Sequence, residues 1–246
     1  IMKKILYSVA LAACCMGNMT SCSDFLDASN KSNVTAKQSF ATKEGLNNLV
    51  NDAYQHLQNV YAAPLFTSCF SAGTDMYADA RNKMNEALNT YETLTPENSD
   101  IKNLYTYLYS GIRAANSVSY YAQTAQVDEK TKGQLVGEAR VLAAYEYYLL
   151  VNNFGGVPIM KDFLTTADTG YPKSSPEDVY AYIISELEDV ISKNVLQAST
   201  ATKGGGRISQ ETAKAILAKT YLSAAWDLNK QEYFSKAAAL ADEVIA

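Results

Sequence analysis

The sequence predicts an all-α fold built from packed helical hairpins, with no substantial sheet. Three observations support this prediction. Apolar residues recur at the three- and four-residue spacing of amphipathic helices. No stretch shows the alternating apolar and polar pattern of a half-buried strand. The periodic stretches are roughly 15 to 25 residues long, rich in alanine and arranged in pairs, which favours helices that approach one another closely.

The composition excludes several classes of protein. With 246 residues, of which 48% are hydrophobic and 19% charged, the chain can bury a sizeable core. Its net charge of −5 argues against a nucleic-acid-binding protein, which needs a basic face. One histidine, and only Cys69 beyond the N-terminal cysteines, cannot assemble an ordinary zinc site. We therefore expect no metal, no cofactor and no nucleic-acid partner.

The N-terminus has the anatomy of a lipoprotein signal peptide. Two lysines follow Met2, and residues 5–16 form an apolar stretch too short to span a membrane. Small residues then precede Cys22, as in a lipobox. We predict a signal peptide over residues 1–21, lipidation of Cys22 and a lipid-anchored tether over 22–34. An ordinary signal peptide with an incidental cysteine is the alternative.

The remaining residues, 35–246, are predicted to form one helical domain. Residues 35–38 fit a capping box, and the apolar positions over 46–61 indicate the first long helix. Residues 62–97 lack periodicity and are broken by proline and glycine, so we expect a long loop there that can include short helical turns. Loops of such length are usually functional or disordered.

Five further helices follow, and their ends carry clear signals. The stretch 128–153 is apolar nearly all round at its centre, which predicts a central helix that stops at Gly155. Ser175 and Pro176 form a strong helix start. The last pair resembles a tetratricopeptide hairpin, and the last helix has no stop signal, so we expect a fragment. The predicted helices cover residues 101–112, 128–153, 176–191, 209–226 and 231–246.

Four motifs, in order, resemble the SusD/RagB family. The longest begins Gly-Glu-Ala-Arg at position 137 and ends Phe-Gly-Gly-Val-Pro at 158. The others are Ile-Arg-Ala-Ala-Asn at 112–116, Pro-Lys-Ser-Ser-Pro-Glu-Asp-Val-Tyr at 172–180, and Gly-Arg at 206–207 leading into the Ala-rich stretch 213–222. With the lipoprotein start, the resemblance extends over nearly the whole chain.

The resemblance implies a function as well as a fold. Such proteins are lipid-anchored in the outer membrane and face the cell surface. They bind a glycan, oligosaccharide or other nutrient, deliver it to a SusC-like TonB-dependent transporter and catalyse no reaction. Their fold combines tetratricopeptide-like helical hairpins in an α-α superhelix with a less regular part that supplies much of the ligand surface. They usually have about twice this length, so we expect the N-terminal half.

The best ligand candidates lie off the predicted helices. Residues 70–91 mix aromatic side chains with amides and charges, which suits a polyhydroxylated ligand, because sugar rings stack on aromatic faces. We predict that Tyr77, Arg81, Asn82 and Asn85 bind the ligand. An ordinary surface loop is the alternative. Asp75 and Asp79 in the same stretch are a weak indication of calcium.

Other polar and aromatic residues are predicted to be structural. Glu138 and Arg140 are expected to bond to neighbouring helices, and Cys69 to be a partly buried thiol rather than a nucleophile. The tyrosines at helical spacing are expected to pack between helices, and these are Tyr105, Tyr109, Tyr145, Tyr148, Tyr182 and Tyr221.

Two other functions compete with nutrient binding. A tetratricopeptide-type protein-interaction scaffold, anchored to the inner face of the outer membrane, would use the same helices. A lipid-anchored hydrolase is the third hypothesis, but no Gly-x-Ser-x-Gly or metal motif occurs in the sequence. We therefore assign no catalytic residues.

Overall fold

The computed structural model of the chain describes residues 36–62, 65–77, 86–166, 170–199 and 206–245. Within these ranges the regular secondary structure is helical, and the one β interaction is an isolated antiparallel bridge between Thr74 and Tyr77. The predicted all-α fold without a substantial sheet is confirmed. The predicted signal peptide and tether lie outside the described residues.

The helices in the described ranges include six long ones, which match the six long helices expected from the sequence. Their bounds, with those of the three short helices, are α1 Ala36–Ser39, α2 Lys43–Tyr61, α3 Leu65–Phe70, α4 Glu86–Thr90, α5 Ser99–Ala122, α6 Glu129–Phe154, α7 Pro176–Lys193, α8 Gln210–Asp227 and α9 Glu232–Ile245.

Short polar residues begin α7 and α8, as the sequence predicts. Ser175 caps α7 through a complete capping box with Asp178, and Pro176 occupies the first turn, where its missing N–H is not needed. Ser209 caps α8 in the same way through its side-chain oxygen. The boundaries of these helices therefore follow from local sequence.

The start of the first long helix differs from the prediction. Thr42 caps α2 by accepting a hydrogen bond from the Gly45 amide at 3.1 Å, whereas the capping box was expected at 35–38. The chain turns tightly between α1 and α2. A Cβ atom on Gly45 would lie 2.1 Å from the carbonyl oxygen of Ser39, so only glycine permits this turn.

The long helices pack in chain order. Helix α5 packs against α6, α6 against α7, α7 against α8 and α8 against α9, while α2 contacts both α5 and α6. Helix α6 is therefore central, since it also contacts α8, and its side chains Tyr147 and Leu150 are fully buried. The predicted central position of this helix is confirmed. The described residues from Lys37 onward form one compact unit.

The segment after α6 lies across α5 and joins two of the sequence motifs. Gly155 ends α6 with φ 69°, which glycine adopts without strain. A Cβ atom on Gly156 would lie 2.2 Å from the carbonyl oxygen of Ser174. The Asn116 side-chain amide donates to the carbonyl oxygen of Met160 at 2.8 Å. The glycine pair and Asn116 therefore hold this segment in place.

A buried ion pair joins α6 to the segment before α8. Glu138 is fully buried, and its Oε2 forms an ion pair with Arg207, whose Nε lies 2.7 Å away. The Tyr54 hydroxyl donates to the same oxygen at 3.2 Å. Burial raises the pKa of Tyr54 to about 12, which keeps this hydroxyl protonated. The carboxylate is thus paired and hydrogen-bonded, as a buried charge must be.

The same network extends to α2. The guanidinium of Arg207 donates to Asn51 Oδ1 at 2.9 Å and to Asn47 Oδ1 at 3.3 Å. The backbone amide of Ile208 donates to the Tyr54 hydroxyl at 2.8 Å. Residues 206–209 are therefore fixed to α2 and α6 before α8 begins.

A second, more exposed cluster joins α6 to α7. Arg140 donates to Glu186 Oε2 at 2.7 Å and to Asp189 Oδ2 at 2.5 Å. Hydrogen bonds from Lys193 and Arg140 hold the pKa of the Asp189 carboxyl below its usual range. The prediction that Glu138 and Arg140 bond to neighbouring parts of the fold is confirmed for both.

One buried carboxyl has no partner among the described residues. Both oxygens of Glu146 are buried without a hydrogen bond, and the side chain lies against Gly111 of α5. A Cβ atom on Gly111 would lie 1.7 Å from Glu146 Oε1. Desolvation raises the pKa of Glu146 well above its usual value, which favours the neutral acid inside the core.

We predict that Arg207→Ala destabilises the fold far more than Arg140→Ala. Removing Arg207 leaves a fully buried carboxylate without its cation, which costs about 3–5 kcal/mol. Arg140 pairs with acids that reach solvent, so its loss costs about 1 kcal/mol. Urea denaturation measures both free energies of unfolding. Adding Glu138→Gln to Arg207→Ala should recover part of the loss, and equal losses for the two single variants would contradict this prediction.

We predict that Glu146→Gln changes how stability depends on pH. The pKa of Glu146 is raised in the folded state, so its stabilising contribution is full below the unfolded pKa of about 4.3 and is lost as pH rises towards the folded pKa. Glutamine does not titrate. Between the unfolded and the folded pKa, the variant should therefore gain stability relative to the wild type by about 1.4 kcal/mol per pH unit. Urea denaturation across pH 4–8 measures the difference, which a pH-independent offset would contradict.

Candidate functional site

The sequence-predicted ligand residues begin at an exposed turn after α3. Tyr77 closes the turn through its bridge to Thr74, and its side chain is 41% exposed beside the fully solvated Met76. Arg81, Asn82 and Asn85 lie outside the described residues, as does Asp79. The structure therefore places one of the four predicted ligand residues, and it places that residue at the surface.

Tyr91, which follows α4, has an unusual backbone conformation. Tyr91 follows α4 with φ 63°, a left-handed value that is rare for an aromatic residue. Its hydroxyl donates to the carbonyl oxygen of Gly73 at 3.3 Å, and a Cβ atom on Gly73 would clash with that hydroxyl at 2.3 Å. The turn at 71–77 is thereby attached to the end of α4. Backbone strain of this kind concentrates at functional sites.

A cluster of aromatic rings lies just before this turn, on α2 and α3. The ring centroids of Tyr61, Phe66 and Phe70 are 5.4, 5.5 and 6.4 Å apart, with interplanar angles between 11° and 34°. The Tyr61 hydroxyl shares a hydrogen bond with the hydroxyl of Tyr145 on α6. Tyr145 stacks on Tyr148 at 6.0 Å. We call these five residues the aromatic patch.

Most tyrosines at helical spacing pack between elements, as predicted. Tyr221 is buried and donates to Glu188, while the Tyr109 hydroxyl donates to the Pro158 carbonyl oxygen at 2.7 Å. Tyr145 and Tyr148 also contact other helices, but they are only half-buried and belong to the aromatic patch. The patch was not predicted from the sequence, because Tyr61 and Phe66 lie on separate helices. The available signal in the sequence was that three aromatic residues, Tyr61, Phe66 and Phe70, lie within ten positions.

The described residues were also examined for a reactive thiol, a metal site and a membrane-spanning helix. Burial raises the pKa of the Cys69 thiol to about 11, so it is a partly buried thiol rather than an activated nucleophile, as predicted. Within the described ranges, no three His, Cys, Asp or Glu side chains are grouped closely enough to hold a metal ion. None of the described helices is both long and apolar enough to cross a membrane.

An apolar groove of about 430 Å³ lies between α8 and α9. Alanines form much of its floor, and Leu222, Phe234 and Ile245 line it. Trp226, the only tryptophan in the sequence, packs edge-on against Phe234 and is 73% exposed. Leu222 and Ile245 are 47% and 83% exposed, so this face of the last hairpin is in contact with solvent.

The family model and the curated relatives that match this chain are all SusD-like. The family described as "Starch-binding associating with outer membrane", SusD-like, matches residues 24–222. A SusD-like protein of Bacteroides ovatus is 29% identical over 134 residues, which cover 53% of this chain and 24% of the relative. SusD-like protein P38 of Formosa agariphila is 28% identical over 190 residues, covering 75% and 36%. The chain thus spans about a third or less of these curated relatives.

Solved structures agree with the sequence relatives. The crystal structure of a SusD homologue from Bacteroides thetaiotaomicron superposes with a TM-score of 0.71 at 22% identity, covering 85% of this chain and 42% of the other. Surface glycan-binding protein A from Bacteroides uniformis superposes with a TM-score of 0.65 at 26% identity, covering 82% and 46%. The family match extends over most of the chain. The chain therefore belongs to the SusD-like family.

Proposed function

We propose that this chain belongs to a lipid-anchored outer-membrane protein that binds glycans at the cell surface and delivers them to a SusC-like TonB-dependent transporter. The observation that carries the proposal is the exposed turn at Tyr77, attached to the strained Tyr91, within a chain of this family. The family description names starch binding and outer-membrane association. The relative from Bacteroides uniformis is named a surface glycan-binding protein.

The proposed ligand residues are Tyr77, Arg81, Asn82 and Asn85. An exposed tyrosine offers a ring face for the C–H groups of a sugar and a hydroxyl for its oxygens. Arginine and asparagine supply hydrogen-bond donors that suit several hydroxyls of a polyhydroxylated ligand. No catalytic role is proposed, since the thiol of Cys69 is not activated and the function requires only binding and release.

A helical-hairpin scaffold for another protein is the second candidate function. The exposed apolar groove between α8 and α9 favours it, because an amphipathic helix could lie in such a groove. The two functions differ in their ligand. Glycan binding that depends on the Tyr77 turn supports the first, and its absence favours the second.

We predict that Tyr77→Ala weakens glycan binding by about tenfold, which corresponds to about 1.4 kcal/mol. The loss follows from removing one exposed ring face on which a sugar stacks. Isothermal titration calorimetry against a panel of neutral oligosaccharides measures the affinity. Met76→Ala is the matched control, because it removes the neighbouring exposed side chain, which is not aromatic. Unchanged affinity in Tyr77→Ala would remove this residue from the site.

We predict that Cys22→Ala releases the protein from the outer membrane of its native bacterium. The variant loses the acyl chains, whose burial in lipid contributes about 0.8 kcal/mol per CH₂ group. Labelling with radioactive palmitate and membrane fractionation measure the effect. Cys69→Ala is the control and should remain labelled and membrane-bound. Labelled, membrane-bound Cys22→Ala would contradict the assignment of the anchor.

A further inference from the structure

Arg113 of α5 differs from the other arginines that the structure describes. Arg140 and Arg207 are partly buried and form ion pairs that hold the fold together. Arg113 is exposed, and among the described residues its guanidinium lies over the Phe163 ring, 5.3 Å from the centroid, without forming an ion pair. A guanidinium stacked on a ring keeps its N–H donors free, because they lie in its own plane. Arg113 therefore keeps these donors in contact with solvent.

A cavity of about 350 Å³ lies beside Arg113, between α5 and the segment after α6. Small-ligand sites typically have volumes of about 300–1,000 Å³. One cation, one acid and two hydroxyls line the cavity, supplied by Arg113, Asp162, Thr165 and Thr166. Three apolar side chains also line it, those of Ile112, Met160 and Leu164. The cavity thus combines charged and hydrogen-bonding groups with apolar surface.

The segment that forms one wall of the cavity packs on α5. The carbonyl oxygen of Met160 accepts a hydrogen bond from the side chain of Asn116 at 2.8 Å. Three residues later, the Phe163 ring packs against two tyrosine rings of α5 with centroid distances of 5.4 and 5.8 Å, those of Tyr120 and Tyr121. The ring beneath Arg113 is therefore positioned before a ligand binds, which lowers the entropic cost of binding.

The side chains of the cavity indicate a ligand that carries a carboxylate and several hydroxyl groups. The planar fork of an arginine matches the two oxygens of a carboxylate. The Asp162 carboxylate accepts hydrogen bonds from hydroxyls, and threonine hydroxyls both donate and accept. Residues 157–166 contain one cation, Lys161, beside Asp162, so this acid does not give the wall a net negative charge. A uronic acid has a carboxylate and hydroxyls on one sugar ring, with C–H groups for the apolar side chains.

An amino acid is the competing ligand, because it also carries a carboxylate and its ammonium group could pair with Asp162. The observations favour the sugar acid. An ammonium group would use one acid, whereas the hydroxyls of Thr165 and Thr166 add hydrogen-bonding groups that suit a polyhydroxylated ring.

We propose that the cavity between α5 and the segment after α6 binds uronic-acid units of acidic glycans, with the carboxylate on Arg113 and the ring hydroxyls on Asp162 and the two threonines. This inference rests on the proposed glycan-binding function and deepens it by adding a site for acidic sugar units. The site uses charge and hydrogen bonds rather than ring stacking.

The first test is calorimetry of the chain with oligogalacturonate, oligoalginate and hyaluronan oligosaccharides. The wild type should bind at least one of them, and the methyl ester of that ligand, which lacks the charge, should bind at least about tenfold more weakly. Arg113→Gln should weaken binding of the acid by at least about tenfold, which corresponds to about 1.4 kcal/mol or more. Lys102→Gln removes a cation from another exposed position of α5, is the matched control and should stay within about twofold.

Asp162→Asn distinguishes the sugar acid from an amino acid. Asparagine keeps a carbonyl oxygen that accepts hydrogen bonds from sugar hydroxyls, but it removes the charge that an ammonium group would need. The variant should bind the acidic oligosaccharide at least as tightly as the wild type does. Binding weakened by about tenfold or more, or displacement of the oligosaccharide by serine or acetate at equal concentration, would overturn the inference.

A further measurement uses the unmodified protein, so it does not depend on how the variants fold. Phenylglyoxal modifies accessible arginines, and mass spectrometry of peptides identifies the modified positions. The bound acidic oligosaccharide should prevent modification of Arg113 and leave that of Arg207 unchanged.

The outcomes separate this inference from the proposed function. Unchanged affinity in Arg113→Gln, or binding without protection of Arg113, would overturn the inference alone. Binding of neutral oligosaccharides with no binding of the acidic ones would have the same meaning. Failure of the wild type to bind any neutral or acidic oligosaccharide would overturn both.

Discussion

The buried carboxylate of Glu138 is the constraint on which the described fold depends. It lies in the middle of the central helix, fully removed from water, and its charge is compensated by Arg207. Because Arg207 also donates to Asn47, one cation joins residues that are 160 positions apart in the chain. The first long helix, the central helix and the start of the last hairpin are thereby held at fixed positions. The Arg140 cluster adds a weaker connection between α6 and α7.

The helices could be predicted from the sequence because their determinants are local. Apolar spacing, the Ser175 capping box and the glycine stop at Gly155 each act within a few residues. Periodicity alone did not locate the start of the first long helix. That helix begins after Thr42 because the chain turns back between α1 and α2, where Gly45 lies close to Ser39, and apolar spacing does not encode such a turn. The burial of Glu146 without a hydrogen-bond partner among the described residues could not be predicted either, because a glutamate in a helical pattern normally indicates an exposed face.

One part of the candidate site could be predicted from the sequence, and another part could not. Residue types in the stretch 70–91 indicated a polyhydroxylated ligand, and the structure places Tyr77 at an exposed turn attached to Tyr91. The aromatic patch could not be predicted, because it depends on how α2, α3 and α6 pack together. Residues of the family motifs have structural roles in this fold. Asn116 and Gly156 hold the segment after α6 in place, and Arg207 neutralises Glu138.

The contact between Gly111 and Glu146 has a consequence for how this chain can change over evolutionary time. The glutamate side chain occupies the volume that any side chain at position 111 would need. A mutation to alanine at 111 therefore requires the Glu146 carboxyl to move, while shortening 146 first leaves a void in the core. The two positions should covary, with neither order of single mutations free of cost.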